Sequence, residues 1–357
     1  MKLKVLALPG DGIGVEVTRE GIRVLEHVAK KYNHELVLSE GLLGGIAIHK
    51  TGTPYPAETE KLALDADATV MGAFGLPEFD NAPPDKRPEK GLLGIRKTLG
   101  VYSNLRPVRA YSALVEASPL KNHLLEGVDM IIVRELTGGL YYGTPRGITG
   151  SGPEERGTNT MTYTRAEIER ITHMAFNLAA KRKKKVTSVD KSNVLETSQL
   201  WRKVVVEVSA QYPDIQLEHL LVDNCAMQLI LRPAQFDIVL MENMFGDILS
   251  DEGSVITGSI GMLPSASIGA KKESGAWVGL YEPVHGSAPD IAGKGIANPL
   301  GAIGSIAAML EYSFGLVEEA AAVNRAMEEV LNSGNVTRDL KGTATTEEVG
   351  KAVCDAI

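Results

Sequence analysis

Cysteine is nearly absent. The 357 residues contain two, Cys225 and Cys354, far apart and in no metal-ligand spacing. A disulfide framework is therefore not expected, and free thiols fit a reducing, cytoplasmic compartment. Cys225 reads as a small buried apolar residue. An excess of positive charge is also lacking. The formal net charge is −8, which argues against a general nucleic-acid binder. The basic run Lys181–Lys185 follows an apolar-periodic stretch (Ile168, Ile171, Met174, Ala175, Leu178) and reads as the cationic end of a helix. No apolar run reaches membrane-spanning length, so no membrane partner is expected. The chain enters a strand at once, and no targeting segment is expected before it.

What is present is ordinary globular composition, 44% hydrophobic and 23% charged, in a chain long enough for two domains. Strands are expected at Lys4–Leu8, His34–Ser39, Ala68–Ala73, Val128–Val133, Val186–Val189, Gln216–Val222 and Phe236–Leu240. Helices are expected from Gly14 to about Lys31, at Gly91–Leu99, Arg165–Arg182 and Val194–Gln211, after Asp223, and from Asn298 onward. Pro83–Pro88 reads as a loop. Thr144–Asn159 has little periodicity and should project as a loop or arm. The alternation of strand and helix argues an α/β protein with a largely parallel sheet.

Chemistry enters with Asp247 and Asp251, four apart in Phe245–Glu252, where a helix begins. Residues at i and i+4 share a face, so the two carboxylates stand side by side and repel by roughly 0.2–0.5 kcal/mol. A hard divalent cation reverses that sign, and oxygen ligands suit Mg²⁺ or Mn²⁺. A solvated acidic helix start explains the same pair, and the pair alone does not choose. The turn Pro9–Gly14 invites comparison with the dinucleotide fingerprint G-x-G-x-x-G. Gly10 and Gly12 fit, but Val15 takes the third glycine position and Asp11 would aim charge at a pyrophosphate. A tight strand-to-helix turn is the better reading. A second candidate is the small-residue segment Tyr281–Asn298. There Asp290 can accept hydrogen bonds from ribose hydroxyls and would repel a 2′-phosphate.

At this point the residues match a family. The segments Gly10–Gly14, Glu89–Arg96, Asn104–Pro107, Val133–Gly139, Ser188–Val194, Phe245–Asp251 and Glu282–Gly293 resemble, in order and nearly end to end, the isocitrate/isopropylmalate dehydrogenase family. The likeness is to its isopropylmalate-oxidising branch. The resemblance implies a non-Rossmann two-domain fold with an interdomain cleft. One domain is discontinuous, 1–101 plus 258–357, and carries most of the NAD site. The other, 102–257, carries the substrate and metal residues and a dimerisation arm near 136–160.

The implied reaction is NAD-dependent oxidative decarboxylation of the small molecule (2R,3S)-3-isopropylmalate by a homodimer with shared active sites. By resemblance, Arg96, Arg106 and Arg134 clamp carboxylates. Asp247 and Asp251 of one subunit and Asp223 of the other hold Mg²⁺ or Mn²⁺ and, with it, substrate. Lys191 is the base for the hydroxyl proton, and Tyr141 helps protonate C3. Glu89, Leu92 and Leu93, with Val194, set side-chain choice. Burying the isopropyl carbons there is worth on the order of 0.8 kcal/mol per CH₂, although Leu92 and Leu93 also fit plain helix core. For NAD, the resemblance implies Leu76 and Glu89 on the nicotinamide side. Glu282, His285, Gly286, Ser287, Ala288, Pro289, Asp290, Ile291, Ala292, Gly293 and Asn298 form the other part of the cofactor site. Asp290–Ile291 follows the NAD-preferring pattern. Rival readings are a relative acting on D-malate, tartrate or homoisocitrate, and a non-catalytic regulatory subunit. The latter is disfavoured because Tyr141, Lys191 and the three aspartates are all retained.

Overall fold

Buried apolar strands and the helices between them build two sheets' worth of largely parallel structure. The computed structural model describes residues 1–83, 86–272 and 276–357. The expected loop Pro83–Pro88 and the stretch Leu76–Glu89 fall partly outside these, at residues 84 and 85. The chain divides into two compact units, Met1–Val101 with Tyr111–Pro119 and Thr257–Ile357, and Tyr102–Ala110 with Leu120–Ile256. The short segment Tyr111–Pro119 groups with the first unit, a detail outside the expected boundaries. The turn Ser112–Leu114 there contacts the helix Val317–Ser333, which ties it to the C-terminal helices rather than to its sequence neighbours.

In the first unit the strands run in the order Glu35–Glu40, Lys2–Leu8, Ala68–Met71, Trp277–Pro283, Pro264–Lys271. The first four are parallel and the last is antiparallel. In the second the order is Ser103–Arg109, Asp129–Glu135, Ile238–Met241, Lys185–Asp190, Gln216–Leu221. Here only the first pairing is antiparallel. Ala68–Met71 and Ile238–Met241 are buried at every position, as continuous apolar runs covered on both faces should be. Cys225 is buried too, and burial pushes its thiol up to about 12.

One local expectation is corrected and two stretches gain detail. The basic run does not cap a helix. The helix Arg165–Ala179 ends before it, and Arg182 instead pairs with Asp129 and Asp237 while Lys185 opens a strand and pairs with Glu218. The stretch 144–159, expected as a loop or arm, carries an exposed antiparallel ribbon in which Gly147–Thr149 pairs with Arg156–Thr158. Three-residue strands with no buried face leave no periodicity to read. Pro264–Lys271 and Trp277–Pro283 were not foreseen as strands. Their buried positions include Ser265, Ala266, Ser267 and Gly279, small residues that accept the helix Leu300–Tyr312 closely. Ser305 on that helix donates to the Glu282 carbonyl.

The Pro9–Gly14 turn explains itself once Asp11 is placed. Asp11 is buried, and its carboxylate accepts from the backbone N–H groups of Gly45, Ile46 and Gly75 at 2.8, 2.8 and 3.0 Å. Its charge points into the protein, at the start of the helix Gly45–Thr51, where a negative group suits the dipole. Removing it orphans three donors. Asp11→Ala is expected to cost about 3 kcal/mol or more in urea unfolding. A loss under about 1 kcal/mol would show that water replaces these bonds.

Candidate active site

The second unit brings five of the expected residues together. Arg106 and Arg134 lie on the neighbouring antiparallel strands Ser103–Arg109 and Asp129–Glu135. Asp247 and Asp251 occupy one face of the helix Asn243–Thr257. Tyr141 ends a short 3₁₀ turn, Gly139–Tyr141. Arg134 Nη1 donates to Asp247 Oδ1, and the Tyr141 hydroxyl donates to the other oxygen at 2.9 Å. Arg106 Nη1 donates to Asp251 at 3.4 Å and to the Ser250 hydroxyl, while its Nε donates to Asn104 Oδ1 at 2.9 Å. The glycine before Asp247 has a packing reason: a Cβ on Gly246 would collide with the Arg134 stem.

The two carboxylates are pushed in opposite directions. Burial raises Asp247, but Arg134, the Tyr141 hydroxyl and Arg106 outweigh it and hold the carboxyl below its ordinary value. Burial and the Asp247 charge raise Asp251 against the pull of Arg106. Tyr141 is raised to about 12, by burial first and then by Asp247. Two carboxylates crowded on one face, one of them reluctant to ionise, fit a hard divalent cation. Among the described residues no three His, Cys, Asp or Glu groups converge as a metal site. The expected third ligand, Asp223, is exposed in the first turn of the helix Val222–Leu231, and its Oδ1 lies 3.0 Å from Lys191 Nζ. Lys191 holds the Asp223 carboxyl below its usual value.

The first unit holds the remaining residues except Val194. Arg96 is buried and donates to Glu282 at 2.9 Å. On the helix Pro88–Leu99, Gly91 and Gly94 face the Pro54–Tyr55 backbone and ring, and Ile95 is fully buried. Leu92 and Leu93 are left half-buried and share a face with Arg96, so they are not the helix's packing core. Glu89 is exposed, Leu76 half-buried, and Val194 of the second unit is 61% exposed. In Glu282–Gly293, His285 is buried. Its Nδ1 donates to the Gly286 carbonyl at 2.9 Å, and its Nε2 is a buried acceptor with no partner among the described residues. Burial keeps the ring neutral by lowering its pKa. A buried, unmatched acceptor fits an amino donor such as that of adenine. Ala288, Ile291 and Ala292 pack on Ile13, Val17, Ala297 and Ala302. The Ser287 carbonyl accepts from the Ile13 N–H at 2.8 Å, while Gly286, Pro289, Asp290 and Gly293 are exposed. The Asn298 side-chain amide is engaged within the protein, donating to Asp339 and accepting from the Leu300 N–H.

Sequence reasoning missed Asn243, Glu242, Tyr163 and Ser250. Glu242 accepts from the Met244 and Phe245 N–H groups and from the Tyr163 hydroxyl, which fixes the start of the aspartate-bearing helix. A Glu–Asn pair two residues before Phe245 was the available signal.

With this geometry in place, comparison with known proteins is direct. The family model described as isocitrate/isopropylmalate dehydrogenase matches residues 4–353. A protein of Shouchella clausii named 3-isopropylmalate dehydrogenase is 54% identical, covering 100% of this chain and 98% of its own. Another so named, from Aquifex aeolicus, is 52% identical, covering 100% and 96%. The crystal structure of isocitrate dehydrogenase from Methylococcus capsulatus superposes with TM-score 0.87 at 32% identity, over 99% of both chains. The chain belongs to the isocitrate/isopropylmalate dehydrogenase family.

Proposed function

We propose that this chain is an NAD-dependent dehydrogenase that oxidatively decarboxylates (2R,3S)-3-isopropylmalate to 4-methyl-2-oxopentanoate and CO₂, a step of leucine biosynthesis. The observation that carries the reading is the gathering of Arg106, Arg134 and Tyr141 around Asp247 and Asp251, in a chain whose full-length relatives bear that name. Arg106 and Arg134, with Arg96, offer planar forks to the substrate carboxylates. Asp247 and Asp251, joined by Asp223 of a second copy, are the oxygen donors for Mg²⁺ or Mn²⁺. When bound, the cation would supply positive charge for the negative charge that develops on the substrate, and NAD⁺ would supply the acceptor for the C2 hydride. Lys191 takes the C2 hydroxyl proton, directly or through water. After CO₂ departs, Tyr141 gives a proton to C3. Its raised pKa, about 12, keeps that proton in place at neutral pH.

Residue placement supports a division of labour between the units. The first, with His285 and Asp290, takes the nucleotide end of NAD. The second takes the metal and, with Arg96, Leu92 and Leu93 of the first, the substrate. In a homodimer with shared sites the Lys191–Asp223 ion pair would act as one unit. Asp223 and Lys191 are held together in one chain, so a copy that contributes Asp223 to its neighbour contributes Lys191 with it. Met227 and Leu231 on the Asp223 helix and Ile248 beside Asp247 are exposed apolar side chains suited to that contact. The half-buried Leu92 and Leu93 favour an isopropyl group. A third carboxylate placed there would meet no partner among them.

The reading is tested by turnover of purified protein on isopropylmalate, D-malate, tartrate and homoisocitrate with either cofactor. Isopropylmalate with NAD⁺ and Mg²⁺ should be fastest, and a faster rate on another acid would reassign the substrate. Shared sites are tested by mixing variants. Lys191→Ala and Asp247→Asn should each lower kcat by about 10² or more. Unfolding and refolding the two together should restore about a quarter of wild-type activity, from mixed dimers with one intact site. No recovery would place Lys191 and Asp247 in the same site of one chain. Asp290→Lys should shift the NAD⁺/NADP⁺ ratio of kcat/KM towards NADP⁺ by roughly tenfold, the scale of one gained charge contact. An unchanged ratio would show that the ribose is read elsewhere.

A further inference from the structure

One buried amide in the second unit touches the supports of Arg134, Asp247 and Tyr141, and the reaction as proposed gives it no part. Asn243 is 1% exposed. Its Oδ1 accepts from both Nε and Nη2 of Arg134, at 2.9 and 2.8 Å. Its Nδ2 donates to the carbonyls of Gly138 and Leu136, at 3.0 and 3.3 Å. Its backbone N–H donates to the Tyr163 hydroxyl at 3.0 Å. Turning the amide over would set donors against a guanidinium and an acceptor against carbonyls, so only one orientation satisfies it.

The consequences follow from shape. An acceptor bonded to two nitrogens along one edge fixes the plane of a guanidinium, which otherwise pivots on a long stem. With the Nε–Nη2 edge held by Asn243, Nη1 is directed to Asp247. The other end of the amide holds the carbonyls of residues 136 and 138, which lead into the turn that carries Tyr141. That turn is tightly seated, since a Cβ on Gly138 or Gly139 would strike the Tyr163 ring. Tyr163 in turn donates to Glu242, the residue that fixes the helix start. The geometry points to Asn243 as a positioning residue for the proposed reaction: it sets the Arg134 plane for a substrate carboxylate and couples that setting to the Tyr141 turn.

The test is a double-mutant cycle on equilibrium binding, read by calorimetry with Mg²⁺ and no NAD⁺. The ligand is whichever 2-hydroxy dicarboxylic acid the wild-type protein turns over fastest, so a different substrate assignment leaves the test standing. Asn243→Ala should weaken binding about tenfold in the otherwise unchanged chain, and less than about twofold in the presence of Arg134→Ala. Asn243→Asp keeps the acceptor for Arg134 but loses the donor to the loop. It should keep binding within about threefold of wild type while kcat falls about tenfold, a split that general loosening of the fold would not produce. Equal losses from Asn243→Ala with and without Arg134 would overturn the inference. So would an Asn243→Asp chain that binds as poorly as Arg134→Ala, and that comparison stands even if Asn243→Ala does not fold.

Discussion

The contact between Arg134 and Asp247 is the constraint around which this protein is arranged. Two partly or wholly buried charges lose hydration, and their mutual attraction offsets that loss only when other polar groups complete the arrangement. Here Asn243 holds one edge of the guanidinium, Tyr141 donates to the second carboxylate oxygen, and Arg106 stands 3.9 Å away. The same pattern recurs at each cation expected to act. Arg96 is matched by Glu282 and Lys191 by Asp223. Each pairs a group suited to an anionic or proton-bearing ligand with a group suited to a cationic or hydroxylic one. Without ligand the charges neutralise each other, and neither partner is left buried alone.

Much of this was legible in the residues, for identifiable reasons. The buried strands Ala68–Met71 and Ile238–Met241 announce themselves because a strand covered on both faces needs unbroken apolar sequence. The helix face bearing Asp247 and Asp251 was readable because 3.6-residue periodicity places i and i+4 together. What was illegible depends on contacts distant in sequence. The strands Pro264–Lys271 and Trp277–Pro283 contain serine and glycine because a helix some 30 residues later packs on them closely, and propensity cannot see that. Asn243 could be any polar residue at a helix start until Arg134, 109 positions earlier, is placed against it. The Asn298 amide joins Asp339 and the start of the next helix, a contact that its place in the sequence did not announce.

The glycine-rich turn after the first strand was read correctly as something other than a dinucleotide fingerprint, although the physical reason is stronger than the missing third glycine. Asp11 turns inward and collects three backbone N–H groups, while Gly12 lets the turn rest against the Ser287 carbonyl. The turn is therefore a buttress for the Glu282–Gly293 segment, in the same unit and at the far end of the sequence.

That buttress changes how cofactor choice can be re-engineered in such a scaffold. In dinucleotide folds the usual handle is the acidic residue closing the strand that follows the glycine loop, a place Glu40 occupies here. Because the turn beside it is filled from within, redesign rules borrowed from those enzymes would be aimed at the wrong end of the polypeptide. On the proposed reading of Asp290, the surface to adjust sits about 250 residues downstream, on a loop whose backbone is braced by the very turn that imitates a nucleotide cradle.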